Sequence, residues 1–114
     1  MPTWDDVVAI GLRFPDVEIS TWFRTPSLKV HGKSMCRLRT DPDALVLRVI
    51  DLGEREALLQ GQPDAFFSTP HYDGYPYVLV RLEAVDPVEL AELIEEAWRL
   101  LAPKRLVKTY DAEP

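Results

Sequence analysis

The feature that most constrains this fold is a one-sided helix predicted near the C-terminus. Asp86 and Pro87 supply an N-cap followed by proline at the first helical position, which is the preferred arrangement, and Pro103 ends the run. Apolar side chains recur along it with helical spacing: Leu90, Ile94, Ala97, Trp98 and Leu101. A stripe of this kind must be buried against another layer, so the rest of the chain has to supply an apolar surface.

Strands are predicted to form that surface. Residues 44–50, ALVLRVI, give the clearest strand pattern, and residues 18–24 are rich in β-branched and aromatic side chains. Residues 28–39 are predicted to form a hairpin around Gly32-Lys33-Ser34, with Leu28 opposite Leu38 and Val30 opposite Cys36, a register that leaves Met35 on the wrong face. Asp73-Gly74 indicates a second hairpin, between AFF and YVLVRLE.

Two further helices are indicated by their capping residues. Thr3, with Asp6 three positions later, predicts the start of an N-terminal helix that stops at Pro15, and Asp51 predicts a short middle helix that ends at Gly61. The order of elements predicts an α+β fold of two layers. In it, the N-terminal, short middle and long C-terminal helices pack on one face of an antiparallel sheet.

Length and composition set the class of protein. A chain of 114 residues has the usual size of one domain, so we expect residues 1–114 to form a single domain with about 110–114 as a flexible tail. The single cysteine, Cys36, suits a reducing compartment and excludes a cysteine-rich zinc site. No apolar run approaches the ~20 residues of a membrane span, and the first residues lack the pattern of a signal peptide. We expect a cytoplasmic protein without membrane contact, cofactor or metal.

Gly32-Lys33-Ser34 has the form in which a phosphate-binding P-loop ends. The P-loop also needs a glycine five positions earlier, where this chain has Ser27, and a helix directly afterwards, where this chain has a strand pattern. Gly32 is therefore predicted to be a turn residue of the first hairpin.

Charge is distributed unevenly along the chain. The net charge is −6, yet residues 19–40 contain no aspartate or glutamate and carry +5, which leaves −11 elsewhere. Cations along one exposed face of a hairpin could contact successive phosphates, although any solvent face needs polar residues and lysine also protects edge strands. An ordinary solvated face carries both signs, so the absence of acids favours a ligand. The candidate nucleic-acid-binding residues are Arg24, Lys29, His31, Lys33, Arg37 and Arg39.

Aromatic residues cluster around the second hairpin, at Phe66, Phe67, His71, Tyr72, Tyr75 and Tyr77. Most are expected to be structural. Tyr72 and Tyr75 flank Asp73-Gly74 at the predicted tip, so we expect them to be exposed. They are candidates for stacking on unpaired bases, an interaction worth ~1–3 kcal/mol per base.

The residues give little support to catalysis. Ser34, His31 and Asp41 resemble the members of a triad, but they lie on one hairpin and its exit rather than converging from separate rigid elements. A Cys36–His31 pair would point to opposite faces, and two histidines with Asp73 fall short of a recognisable metal-ligand set. We therefore predict a protein that is not an enzyme.

Three stretches resemble the MmcQ/YjbR family of small bacterial proteins: LKVHGKSMCRL (28–38), PHYDGYPYVLVRL (70–82) and AWRLLAPKRLVKTY (97–110). The family's Lys-Val-x-Gly-Lys turn is present, as is its closing aromatic-Arg-Leu and Ala-Pro-Lys run, with Trp98 in the aromatic place. The resemblance implies a two-layer α+β fold, likened to the frataxin-like CyaY fold and to secretion chaperones. It also implies DNA binding, through a "double wing" interpretation of the hairpins.

Two functions therefore stand as hypotheses. One is binding of nucleic acid through the basic first hairpin, which would be favoured if its cations converged with Lys104, Arg105 and Lys108. The alternative is a protein-interaction module that uses the sheet face and the Trp22-Phe23 pair, as secretion chaperones do, and an exposed apolar patch on that face would favour it.

Overall fold

A computed structural model describes residues 2–40 and 43–112 and shows helices and strands in the predicted order. The helices are α1 (Trp4–Gly11), α2 (Leu52–Gly61), α3 (Pro87–Leu101) and α4 (Lys104–Ala112). The strands are β1 (Val17–Trp22), β2 (Thr25–Val30), β3 (Lys33–Arg39), β4 (Ala44–Arg48), β5 (Phe66–Phe67) and β6 (Tyr77–Val80). Asp41 and Pro42, where we predicted a turn, lie outside the described residues.

The strands form one six-stranded antiparallel sheet in the order β1-β2-β3-β4-β6-β5. Leu45 and Leu47 of β4 point to the same side and belong to the main core, together with Ile94 and Trp98 of α3. The helices contribute to this core from one face of the sheet, so the predicted two-layer α+β fold is confirmed. Across the described ranges, no helix is long and apolar enough to cross a membrane.

The predicted helix starts are confirmed at the level of single hydrogen bonds. Thr3 and Asp6 form a reciprocal capping box at α1. The Asp51 carboxylate accepts from the backbone N–H of Glu54 at α2, and Asp86 caps α3 with Pro87 in its first turn. Each cap satisfies a backbone donor that the helix itself leaves unpaired.

The predicted register of the first hairpin is wrong. Leu28 lies opposite Cys36, and Val30 lies opposite Lys33 across a two-residue turn. His31 and Gly32 both have positive φ, 48° and 79°, as the tight turns that match the strand twist require. The register shifts at a β-bulge near Leu28. The bulge explains the Met35 conflict, because an extra residue in β3 lets Met35 and Cys36 both reach the core.

The second hairpin is confirmed as a strand pair but not as a tight turn. β5 pairs antiparallel with β6. The connection between them contains a 3₁₀ helix, Pro70–Tyr72, so the chain folds back before it reaches Asp73-Gly74. Thr69 has extended backbone and Pro70 begins the turn, as proline favours at a helix start.

Helix α4 replaces most of the predicted flexible tail. Residues 110–112 form its end, whereas Glu113 and Pro114 lie outside the described residues. Pro103 ends α3, but its carbonyl also accepts from the N–H of Leu106 and so starts the next helix. Tyr110 packs edge-on against Trp98 at 5.0 Å between ring centroids. From the sequence, Pro103 was predicted only to end α3, and its role at the start of α4 was not predicted.

Candidate nucleic-acid interface

The face of the sheet opposite the helices carries the predicted cations of the first hairpin. Arg37 lies opposite Ser27 on β2 and Val46 on β4, and Val46 belongs to a separate cluster away from the helix-side core. Side chains alternate along a strand, so Arg39 and Lys29 share this side. Of the four residues predicted to share one face, Lys29, Arg37 and Arg39 do so, whereas His31 lies in the hairpin turn. We call this face of the sheet the helix-free face.

The helix-free face is concave. Trp22 belongs to the edge strand β1 and Tyr77 to β6, and three strands lie between them. Their ring centroids are nevertheless only 6.2 Å apart. The rings meet because the sheet twists and curls, as strongly twisted sheets do. Trp22, Phe23, Tyr72 and Tyr77 thus form a row of rings across the face, which we call the aromatic bridge.

Arg37 lies under the aromatic bridge and is fixed by it. Its Nη2 donates to the hydroxyl of Tyr72 at 2.7 Å, and its Nη1 donates to Oγ1 of Thr25 at 3.3 Å. The guanidinium carbon lies 5.2 Å from the Phe23 ring centroid and 5.8 Å from that of Trp22, which is cation–π geometry. Arg37 is therefore a structural centre of the site rather than a freely available phosphate contact.

Tyr72 is buried, contrary to the prediction that it would be exposed at a hairpin tip. Only 5% of its surface is accessible, because the 3₁₀ helix folds it onto Tyr77 and Arg37. Tyr75, in contrast, is 59% exposed, and that part of the prediction is confirmed. Of the two stacking candidates, Tyr75 alone presents a free ring.

Arg55, which the sequence analysis did not select, holds the loop that carries Tyr72. This buried side chain on α2 donates to the carbonyl of Tyr77 at 3.0 Å and to Oγ of Ser68, and it lies 3.6 Å from the carboxylate of Asp73. Its i+3 spacing to Leu58, another buried residue of α2, was the only sequence signal that it faces inward. Arg37 and Arg55 hold the 68–76 loop at different points.

Two depressions flank the aromatic bridge. The first, the arginine pocket, is lined by Phe23, Thr25, Arg37, Arg39, Thr40 and His71. The second, the lysine pocket, has residues from six elements and the first hairpin turn in its lining: Trp22, Lys29, Gly32, Lys33, Ser34, Arg48, Tyr77 and Leu101. Neither lining includes a carboxylate from the described ranges, so both pockets have a positive character.

The predicted cations do not form a single cluster. Arg24 is exposed in the β1–β2 turn, at one end of β2, whereas His31 and Lys33 lie at the other end. At ~3.3 Å per residue, the length of β2 separates these ends by roughly 17 Å. His31 is also engaged, since its Nε2 lies 2.8 Å from a carboxylate oxygen of Asp16. A ligand would have to extend along the face to reach cations at both ends.

Acidic side chains concentrate on the helix side of the molecule. Partial burial, reinforced by the neighbouring carboxylates of Glu54, Glu92 and Glu95, raises the pKa of the Glu96 carboxyl above its usual value. Because these helices cover the opposite face of the sheet, their negative charge lies away from the helix-free face. This sidedness reconciles an acidic protein with a cationic surface.

Lys104 does not join the cationic face. It lines a depression on the helix side together with Glu54 and Glu96. The convergence of α4 with the first hairpin, which would have favoured nucleic-acid binding, is therefore absent at this residue. The absence of carboxylates is limited to the linings of the two pockets. Glu18 lies directly opposite Lys29 on the neighbouring strand.

Of the triad considered from sequence, Asp41 lies outside the described residues, and Ser34 and His31 each have another partner. The hydroxyl of Ser34 lies 3.1 Å from that of Ser27, while His31 contacts Asp16. Complete burial raises the pKa of the Cys36 thiol to about 12, so it stays protonated at neutral pH. No group of three histidine, cysteine, aspartate or glutamate side chains suited to a metal ion occurs within the described ranges.

The fold and the site define a small α+β protein with its helices on one side of a curled antiparallel sheet and a cationic, aromatic surface on the other. The YjbR family profile matches residues 12–100, and the chain belongs to the YjbR family.

Two mycobacterial proteins and one crystal structure are similar over nearly the whole chain. The uncharacterized proteins Rv2570 of Mycobacterium tuberculosis H37Rv and Mb2600 of Mycobacterium bovis are each 38% identical, over 96% of this chain and 96% of theirs. The crystal structure of Deinococcus radiodurans protein DR2400, which has a DUF419 domain, has a TM-score of 0.76 at 25% identity. The alignment covers 99% of this chain and 91% of that one.

Proposed function

We propose that this chain is a non-enzymatic binding protein whose helix-free face holds single-stranded nucleic acid. The observation that carries the proposal is the pairing of Phe23 with Trp22 between two cationic pockets. Phe23 is 64% exposed, and its ring centroid lies 4.9 Å from that of Trp22. Exposed rings offer stacking surfaces to bases, and the surrounding cations attract the phosphates that connect those bases.

Unpaired strands suit this surface better than a duplex. Stacking on a protein ring requires a base whose face is free, which single strands provide and duplexes do not. The face is concave and its outer cations lie at opposite ends of β2, so an extended strand could run along it between Lys33 and Arg24. Arg24 and Lys33 are exposed and Lys29 is half-buried, whereas Arg37 is committed to Tyr72 and Thr25.

The same geometry limits the expected affinity. If Arg24, Lys29 and Lys33 each neutralise a phosphate, the logarithm of the binding constant should fall with the logarithm of salt concentration at a slope of about −2. That value follows from ~−0.7 per phosphate for single strands. Binding at physiological salt is then expected to be weak and tolerant of sequence.

Fluorescence anisotropy with a labelled oligothymidine and a labelled duplex, each at two salt concentrations, tests this function. We expect tighter binding to the single strand, with the slope given above. Equal binding of both labelled molecules would contradict the stacking mechanism, and absence of binding at low salt would remove the proposal altogether.

Charge reversal locates the binding surface. The double variant Lys29→Glu/Lys33→Glu should abolish binding of the strand and lower the melting temperature only slightly, because a glutamate at position 29 would lie opposite Glu18. Arg37 is left unchanged, because its loss would unpair Tyr72. The matched control is Lys104→Glu/Arg105→Glu, which makes the same change in net charge at exposed residues at the start of α4. Equal loss of binding in both variants would indicate a non-specific charge effect.

A peptide partner is the second candidate function. β1 is an edge strand of the sheet, and Ile19 within it is 59% exposed. An exposed edge can accept an added strand from a partner. Protein capture from nuclease-treated extract should then be lost in Ile19→Lys but retained in Lys29→Glu/Lys33→Glu, whereas the nucleic-acid function predicts no nuclease-resistant partner.

A further inference from the structure

The lysine pocket has the composition of a site for a phosphate monoester. The register places Lys29 opposite Ser34, and Arg48 opposite Tyr77, so these four residues lie across adjacent strands β2, β3, β4 and β6. Lys33 closes the group from the hairpin tip. Three cations and two hydroxyl-bearing residues, Ser34 and Tyr77, thus line the same depression.

No ion pair neutralises the cations of this pocket among the described residues, although Glu18 lies opposite Lys29 on β1. Among the described residues, Lys29, Lys33 and Arg48 form no ion pair with a carboxylate. The Nε of Arg48 donates to the carbonyl of Val49 at 3.0 Å, which fixes the side chain while leaving its charge uncompensated. Like charges held close together repel one another, and an anion relieves that repulsion.

The walls of the pocket are aromatic. Trp22 and Tyr77 line it, and the guanidinium carbon of Arg48 lies 5.9 Å from the Tyr77 ring centroid. The cavity measures about 380 Å³, which lies within the ~300–1,000 Å³ range of sites for small molecules. A flat ring joined to a phosphate matches this combination of aromatic walls and cations in both size and chemistry.

We infer that the lysine pocket binds a nucleoside phosphate monoester, with its phosphate among Lys29, Lys33 and Ser34 and its base against Trp22 or Tyr77. A monoester carries close to two negative charges and three acceptor oxygens at neutral pH, and these suit lysine and hydroxyl donors. Gly32-Lys33-Ser34 would then contact phosphate from a hairpin turn rather than from a P-loop. This inference goes beyond the binding of a strand proposed above and does not depend on it.

The monoester could come from a free nucleotide or from the 5′-phosphorylated end of a strand. Isothermal titration with adenosine 5′-monophosphate, adenosine and inorganic phosphate tests the free nucleotide. Anisotropy with a strand that carries or lacks a 5′-phosphate tests the strand end. We expect the nucleotide to bind at least about tenfold more tightly than adenosine or phosphate alone, or the 5′-phosphate to strengthen strand binding by a similar factor.

Variants assign the binding to the pocket. Lys33→Gln removes one exposed cation at the tip and should weaken monophosphate binding about tenfold, because a charge-assisted hydrogen bond is lost. Lys104→Gln removes an exposed cation from the helix side and should leave monophosphate binding unchanged. Equal affinity of Lys33→Gln and wild type for the monophosphate would contradict binding in the lysine pocket. So would the absence of any gain from a 5′-phosphate in both the nucleotide titration and the strand anisotropy.

The outcomes separate this inference from the proposed function. Binding of adenosine 5′-monophosphate without binding of an unphosphorylated strand supports the pocket and contradicts the strand-binding function. Binding of the strand with no effect of a terminal phosphate, together with no binding of the monophosphate, contradicts the pocket alone.

Discussion

At the scale of single residues, the arginines divide into those that build the fold and those that remain available. Arg37 and Arg55 both hold the loop that carries Tyr72, through hydrogen bonds to side chains and to a backbone carbonyl. Arg24 is exposed in a turn. Alternation along β3 predicted the face of Arg37 correctly, but its partner Tyr72 lies 35 residues further along the chain. Strand periodicity contains no information about such a contact.

Removing the hydroxyl of Tyr72 tests this division. Tyr72→Phe keeps the ring and its packing but deprives the Arg37 guanidinium of an acceptor at 2.7 Å. A hydrogen bond to a charged group contributes ~1.5–3 kcal/mol, so urea denaturation should show a loss of stability of that order. Tyr75→Phe is the matched control, because its exposed hydroxyl should change stability by less than ~0.5 kcal/mol. Equal stability of the two variants would show that the Arg37–Tyr72 contact is unimportant.

At the scale of elements, the helix starts were predicted correctly, whereas the β-bulge and Pro103 account for the two elements predicted wrongly. The capping residues Thr3, Asp51 and Asp86 predicted three helix starts correctly, because a cap is a local hydrogen bond within one turn. The register of β2 with β3 was predicted wrongly because the bulge adds a residue; Met35 on the wrong face indicated an irregularity but not its position. Helix α4 was missed because Pro103 serves both as the stop of one helix and the start of the next.

An ion pair between the last two helices should make the docking of α4 sensitive to pH. Arg99 of α3 makes two hydrogen bonds to the Asp111 carboxylate, of 2.8 and 2.9 Å, and a third to Glu95. The hydrogen bonds from Arg99 lower the pKa of Asp111 below its ordinary value of 3.8. A carboxyl whose pKa is lowered by folding stabilises the protein at pH values above its pKa in the unfolded state. That stabilisation is lost as the pH falls through its pKa in the folded state.

Asp111→Asn should therefore melt at a lower temperature than the wild type at neutral pH. The difference should shrink as the pH falls below the ordinary aspartate pKa, because the wild-type carboxylate then becomes protonated too. Thermal melts across this pH range, followed by circular dichroism, measure it. Asp5→Asn serves as the control, since Asp5 is exposed in α1 and forms no ion pair among the described residues. A pH-independent difference for Asp111→Asn would contradict the ion-pair account.

At the scale of the whole molecule, the one-sided stripe of α3 was enough to predict the architecture. A helix with one apolar face and strands with two faces require a layered arrangement, and Leu90, Ile94 and Trp98 are all fully buried in it. The curl of the sheet was not predictable, because it depends on how Trp22 and Tyr77 meet across intervening strands. The site was therefore predicted as a list of cations, without the aromatic bridge that organises them.

The separation of charge between the two faces of the sheet is the property of the fold on which the proposed strand binding depends. Glu54 and Glu96 lie on the helix side, and Lys29 and Arg48 lie on the helix-free face. An anionic strand should approach the protein from one side only, even though the net charge of −6 opposes it at long range. The proposed function therefore predicts that the strand binds on the helix-free face.

The three tryptophans provide the most direct test of that location. Trp22 belongs to the aromatic bridge, Trp4 lies in α1, and Trp98 is buried with its indole N–H donating to the Pro15 carbonyl at 3.0 Å. Their indole N–H signals can be followed by NMR while unlabelled oligothymidine is added to isotope-labelled protein at low salt. We expect the Trp22 signal to shift with increasing strand concentration while those of Trp4 and Trp98 stay in place. Shifts confined to Trp4 or Trp98, or no shift of Trp22 at saturating strand, would contradict binding on the helix-free face.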